Sequence, residues 1–228
     1  IIFGTSKLGW DLNESKFRKI NSVLNKALKE NIDIHISPSY GYSLNFIKNC
    51  KNLKKSKSYF MIKLSYKTKE IFYHQLFYVM KIIGSKKKID IQIDEFFDTR
   101  MIKELTKSID LIKKRFLIRD VYLTPLKRNY LSFLKKTRKF TEFNYAIHYS
   151  LIENNFQKNF LKKLKKLDKK TISLRGLGGG INNISFEDFY DFNDNDKKFL
   201  FKKKDLFFKK HNMSEIEGRA QFILKNPL

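Results

Sequence analysis

Four side chains in the first half of the sequence are able to move protons or hold charge at close quarters: His35, Tyr40, Lys63 and Asp94. Tyr40 sits at the tip of the turn Ser37-Pro38-Ser39-Tyr40-Gly41, directly after the alternating run Ile32-Asp33-Ile34-His35-Ile36. A phenol ordinarily loses its proton near a pH of about 10. A neighbouring ammonium favours the phenolate and lowers that value. A Tyr with Lys63 beside it therefore gives or takes a proton near neutral pH, and His35 and Asp94 can orient or tune the pair. That chemistry needs the four residues at one place, so the elements that carry them come next.

Apolar periodicity lays out a regular alternation. Short strands are expected at Ile1 to Thr5, Ile32 to Ile36, Tyr59 to Leu64, Ile89 to Asp94, Arg119 to Thr124, Phe143 to Tyr149 and Thr171 to Arg175. Between them the steps of three and four predict helices. They cover Ser15 to Glu30 (Phe17, Ile20, Val23, Leu24, Ala27 and Leu28 on one face), Ser43 to Cys50, Glu70 to Ile83, Phe97 to Phe116, Asn129 to Lys139 and Asn155 to Leu167. After a less regular segment from Ile181 to Asn212, Ser214-Glu215-Ile216-Glu217 has the spacing of a capping box and opens a last helix. Strands alternating strictly with helices imply a parallel sheet with helical crossovers. Seven such units favour an α/β fold of the (β/α)8 TIM-barrel type, one domain over residues 1–228. Strand eight and the C-terminal segment are expected to be missing from it.

In such a barrel the chemistry sits at the C-terminal ends of the strands. Parity then adds direction, because alternate residues of a strand face opposite sides. With the Ile residues of the fourth strand facing the helices, Asp90, Gln92 and Asp94 point inward, and by the same parity so does His35. This places His35, Tyr40, Lys63 and Asp94 around one mouth.

The composition narrows the function classes. The net charge is +25, but it comes from 40 Lys and only 8 Arg. Base and phosphate readers lean on Arg forks, and these lysines are spread over every helix-like segment. A nucleic-acid partner is therefore not expected. Cys50 is the only cysteine, which excludes an intrachain disulfide and a cysteine metal site and fits a reducing, cytoplasmic setting. No apolar run reaches the roughly 18 residues of a membrane span, and no signal peptide is visible.

Several segments, in order along nearly the whole chain, resemble the aldo-keto reductase family. Phe3-Gly4-Thr5-Ser6-Lys7-Leu8-Gly9 is similar to its opening strand and turn, and Ser37-Pro38-Ser39-Tyr40-Gly41 to the loop that holds its catalytic Tyr. Met61-Ile62-Lys63 resembles the strand supplying its catalytic Lys. Tyr149-Ser150-Leu151-Ile152-Glu153, Leu177-Gly178-Gly179-Gly180 and Ala220 to Pro227 resemble the ends of strands six and seven and the helix leading to strand eight. The resemblance implies an oxidoreductase that reduces an aldehyde or ketone, a small-molecule carbonyl, with NADPH (or NADH). Tyr40 would be the proton donor and Lys63 its tuner. It also implies cofactor contacts at Thr124, Arg175, Leu177, Gly178, Gly179 and Gly180. Two of the family's four catalytic positions depart from its pattern: His35 stands where the family has an Asp, and Asp94 or Glu95 where it has a His; the family's strand-six Gln also falls near Ala146 and its Ser after strand five near Thr124. The expectation is an exchange, with Asp94 pairing with Lys63 and His35 meeting substrate or Tyr40. The alternative is a degenerate barrel of the same family that binds without turning over.

Overall fold

The computed structural model of the chain describes residues 2–6, 8–10, 13–96, 99–125, 130–148, 158–174, 195, 198, 202, 205–206 and 208–225. Strands and helices alternate as the periodicity predicts. They are β1 (Ile2–Gly4), α1 (Glu14–Lys29), β2 (Asp33–Ile36), α2 (Ser43–Lys48), β3 (Phe60–Ser65), α3 (Lys69–Ile83), β4 (Ile89–Phe96), α4 (Ile102–Lys113), β5 (Ile118–Pro125), α5 (Tyr130–Thr137), β6 (Phe143–His148), α6 (Lys158–Lys166), β7 (Thr171–Leu174) and α7 (Glu215–Lys225). Strand order in the sheet equals sequence order from β1 to β7, and the pairs with a described register are parallel. This is the order of a (β/α)8 barrel, incomplete because no eighth strand is present among the described residues.

The chain divides into two compact units, one of residues 1–124 with 140–143 and one of residues 125–139 with 144–228. In the first, Ile34, Ile36, Phe60, Ile62, Ile89, Ile91 and Ile93 are fully buried, as are Leu24 and Leu28 of α1, Phe72 and Leu76 of α3, and Leu105 and Ile109 of α4. These side chains carry the hydrophobic stabilisation that holds the helices on the sheet. The register pairs His35 with Met61, Met61 with Asp90, Lys63 with Gln92 and Ser65 with Asp94. Paired residues of a parallel ladder share a face, so the row opposite the Ile face reads His35, Met61, Lys63, Asp90, Gln92 and Asp94. In the second unit, Tyr145 of β6 is fully buried, edge-on to Phe133 and Phe160, with its hydroxyl 2.8 Å from that of Thr137.

Helix ends follow local chemistry. Asn13 caps α1 by accepting from the Lys16 N–H at 2.9 Å, and Thr68 caps α3 by accepting from the Ile71 N–H at 3.3 Å. The capping box of α7 forms as its spacing predicts: the Ser214 N–H donates to Glu217 Oε2 at 2.9 Å, and the Glu217 N–H donates to Ser214 Oγ at 3.3 Å. The Ser214 hydroxyl also donates to Glu217 Oε2 at 2.6 Å, and this bond together with that from the Ser214 N–H holds the Glu217 carboxyl below the usual carboxylate range.

Three details differ from the periodicity. The helix expected from Phe97 opens as a 3-10 turn over Thr99–Met101 and becomes α-helical only at Ile102. Phe17 and Val23, expected on the buried face of α1, are exposed. The Phe17 ring is tilted 57° to that of Phe46 with centroids 4.9 Å apart, and the buried residues of α1 narrow to Leu24, Ala27 and Leu28. The strand expected over Arg119 to Thr124 runs one residue further at each end, from Ile118 to Pro125, where a missing N–H removes little. No described helix is long and apolar enough to cross a membrane.

Candidate active site

The loop that carries Tyr40 is fastened from three sides. The Ser37 hydroxyl donates to the backbone carbonyl of Lys63 at 2.9 Å, tying the end of β2 to β3 next to the lysine itself. Ser37 O accepts from the Tyr40 N–H at 3.2 Å, and Tyr40 O accepts from the Ser43 N–H at 3.1 Å, which leads into α2. The loop after β1 closes the third side, where Gly9 O accepts from the Tyr42 N–H at 3.2 Å. Gly9 has no room for a side chain, since a Cβ there would stand 1.9 Å from Tyr40 O. Gly41 has φ +52°, a conformation that favours glycine, and a Cβ on it would stand 2.4 Å from Gly9 O. Thr5, fully buried, donates its hydroxyl to His35 O at 2.8 Å and adds its own N–H at 3.2 Å.

On this frame four of the sequence-predicted residues come together. Lys63 Nζ lies 2.7 Å from Asp94 Oδ2. They are diagonal neighbours on one face of the β3–β4 ladder, within reach of a long side chain. The same ammonium is 5.3 Å from the centroid of the Tyr40 ring. The His35 ring stands edge-on to Tyr40, with centroids 5.8 Å apart and planes at 87°. Lys63 and Asp94 keep 22% and 28% of their side-chain surface exposed, so the pair is open to small solutes.

His35 is a neutral imidazole here. Burial is the main cause pushing its pKa from 6.5 to about 4. The Lys63 charge adds to the depression, while Gln92 and Asp94 oppose it. Its Nε2 is buried and unpaired, and so is Gln92 Oε1, although the Gln92 amide is near enough to support the imidazolium. Gln92 donates through Nε2 to Thr124 Oγ1 at 2.9 Å, and both residues are buried. Thr124, expected from the sequence to touch a cofactor, is thus at the end of β5 with its hydroxyl proton left to donate. Arg175, Leu177, Gly178, Gly179 and Gly180 lie outside the described residues.

Gln92, Ser37, Thr5 and Gly9 do work at this site that sequence reading left unassigned. Parity placed Gln92 on the inner face but said nothing of its partners. Ser37 was visible as a strand-end polar residue. Gly9 was visible only as part of a glycine-bearing loop, and its contact with Tyr40 joins segments thirty residues apart. Among the described residues no group of His, Cys, Asp and Glu forms a metal cluster. Cys50 is buried, donates to Phe46 O at 3.2 Å, and has its thiol pushed up to about 11 by burial.

No family model matches the sequence, and no curated protein matches it. Solved structures do match. An aldo-keto reductase from Klebsiella pneumoniae in complex with NADPH aligns with a TM-score of 0.64 at 10% identity, over 78% of this chain and 64% of its own length. This chain thus spans less than two thirds of that enzyme. A glycerol dehydrogenase from Gluconobacter oxydans aligns with a TM-score of 0.67 at 16% identity, over 98% of this chain and 78% of its own. An aldo-keto reductase from "Pseudomona aeruginosa" gives 0.58 at 15%, over 77% and 72%. Identities this low speak for backbone architecture, and the architecture agrees with the segment resemblance read from the sequence: the chain has the fold of the aldo-keto reductases.

Proposed function

We propose that this chain acts in the NAD(P)H-dependent reduction of an aldehyde or ketone, with Tyr40 as proton donor. The observation that carries the reading is the position of the Lys63 ammonium, between the Asp94 carboxylate at 2.7 Å and the Tyr40 ring at 5.3 Å. An ammonium at that position favours the phenolate and so eases proton release from Tyr40. The Tyr40 hydroxyl gives its proton to the carbonyl oxygen as the carbonyl carbon is reduced. Asp94 holds Lys63 in place, the role that resemblance assigned to a carboxylate at position 35. His35, neutral and edge-on to Tyr40, is a hydrogen-bonding wall for the substrate oxygen. The two residue types have exchanged positions around an unchanged Tyr–Lys pair.

A nicotinamide cofactor, when bound, supplies the hydride. The buried, unpaired Gln92 Oε1 and the Thr124 hydroxyl together offer an acceptor and a donor, the pair that a primary carboxamide needs. This supports the cofactor reading from the described residues alone.

NADPH consumption with a panel of aldehydes tests the proposal. Tyr40→Phe should lower kcat about 100-fold or more. Asp94→Asn and His35→Ala, made separately, should each lower kcat. If neither of these two changes reduction, the exchange is wrong. NADPH fluorescence quenching without turnover would leave a barrel that binds and does not catalyse.

A further inference from the structure

At the pole opposite Tyr40, the loops entering β3 and β4 border an open cleft of about 750 Å³. Five of its eleven lining residues are lysines, Lys54, Lys57, Lys86, Lys87 and Lys88, and none is acidic. The whole chain has 40 lysines in 228 residues, so this is well over twice the expected density. The nearby carboxylates are engaged elsewhere. Asp33 Oδ1 accepts from the Tyr59 N–H at 2.9 Å, and Asp90 is held by Arg119 and by the Asp120 N–H.

The two loops are fixed as well as charged. Lys87 Nζ donates to Ser56 O, bridging them directly. The Lys57 N–H donates to Asn31 Oδ1 at 2.7 Å. The Lys87 N–H donates to Gly84 O at 3.1 Å, in a turn that presents Lys86, Lys87 and Lys88 in succession. Burial lowers the pKa of Lys87, since desolvation disfavours its charged form. Lys54, Lys57, Lys86 and Lys88 are exposed, and like charges gathered along one cleft favour an anion.

We propose that this cleft binds a small ligand carrying two or more linked phosphates. Its volume is that of a small-molecule site. A single-stranded nucleic acid would need an open aromatic face for stacking. The aromatic residue present, Tyr59, has the Arg119 guanidinium 4.1 Å from its ring centroid and Lys88 Nζ at 5.9 Å. That leaves charge, not stacking, as the means of recognition.

The test is calorimetric titration of the full chain with sodium tripolyphosphate, against sodium sulfate at equal ionic strength. The expected result is saturable binding of one tripolyphosphate per chain, weakened about tenfold or more in Lys57→Gln/Lys88→Gln, since each lost ion pair reduces the electrostatic gain. A control double variant beyond the opposite end of β3, Lys67→Gln/Lys69→Gln, should change binding less than about twofold, as expected for screened, distant charges. Circular dichroism on all variants verifies folding. Absence of saturable binding overturns the proposal, as does equal weakening in both double variants, which marks diffuse attraction. Displacement by NADPH from Lys57→Gln/Lys88→Gln as strongly as from the unaltered chain would locate the phosphate in the cofactor region and also overturn it. Tighter binding of a single-stranded RNA oligomer that excludes tripolyphosphate would assign the cleft to nucleic acid instead.

Discussion

Asp90 and Asp94 are the same residue type on one strand and one face, roughly 13 Å apart along it, and each pairs with a cation on a neighbouring strand. Their surroundings separate them. Asp90, with 2% of its side chain exposed, receives two hydrogen bonds from Arg119 and a third from the Asp120 N–H at 3.1 Å. The Arg119 guanidinium also lies 4.1 Å from the Tyr59 ring centroid. Asp94 makes one ion pair to a lysine, with about a quarter of each side chain exposed. A buried carboxylate held by a guanidinium fork and a backbone N–H is a structural joint, although Arg119 itself keeps 43% of its side chain in solvent. The Asp94–Lys63 pair rests on a single contact with both partners partly open, and on the proposed function it stays available to a ligand beside Tyr40 and the neutral His35. The two ends of β4 thus use one chemical pairing for two purposes, as the barrel rule of chemistry at the C-terminal ends and stability at the N-terminal ends would have it.

The largest effect should come from the joint. Asp90→Asn breaks the fork and leaves Arg119 only the longer contact to Asp120 at 3.8 Å; because Arg119 is 43% exposed, the loss is set at the low end for a buried pair, about 3 kcal/mol. Urea unfolding followed by circular dichroism should show that loss. A change as small as that of a surface charge would break the contrast.

The next effect is pH-dependent and belongs to His35. Its pKa is 6.5 in the unfolded chain and about 4 in the folded one, so the unfolded chain binds more protons between those values. Stability is therefore full above 6.5, falls as pH drops towards 4, and levels off below, a loss of at most about 3 kcal/mol. Urea midpoints across this window should be steeper with pH for the native chain than for His35→Gln. An imidazole titrating near 6.5 in the folded state by NMR would contradict the burial of its Nε2.

The smallest effect on stability should be at Asp94. Asp94→Asn removes a partly exposed pair worth under about 1 kcal/mol, so its urea midpoint should barely move while the reduction assay changes. A stability loss equal to that of Asp90→Asn would mean that the two ends of β4 do not differ. Gly9→Ala sharpens the same point from the backbone. It should displace the Tyr40 loop and lower activity through Tyr40 while leaving the Arg119–Asp90 joint and its exchange-protected amides unchanged.

Much of this was legible in the residue pattern. The alternation of strands and helices, the inward parity of His35 and the Asp90–Gln92–Asp94 row, and the capping box at Ser214 all follow from local periodicity, which depends only on backbone geometry. The turn Ser37 to Gly41 and the strand Met61 to Lys63 also carried the family resemblance that the fold matches. Less legible were the 3-10 opening before Ile102 and the exposure of Phe17 and Val23. Both depend on how wide a strip of each helix the sheet covers.

The sequence by itself determined which residues could face one another: period-two alternation commits every second side chain of a strand to one side, and a single-residue slip would expose the Ile face. The tertiary structure alone decided which partner each inward residue met. Nothing in the local sequence distinguishes Asp90, beside Arg119, from Asp94, beside Lys63, because a salt bridge between strands depends on register and depth across segments far apart in the chain. The same holds for Gly9 under Tyr40 and for the lysines that converge from two loops at the opposite pole.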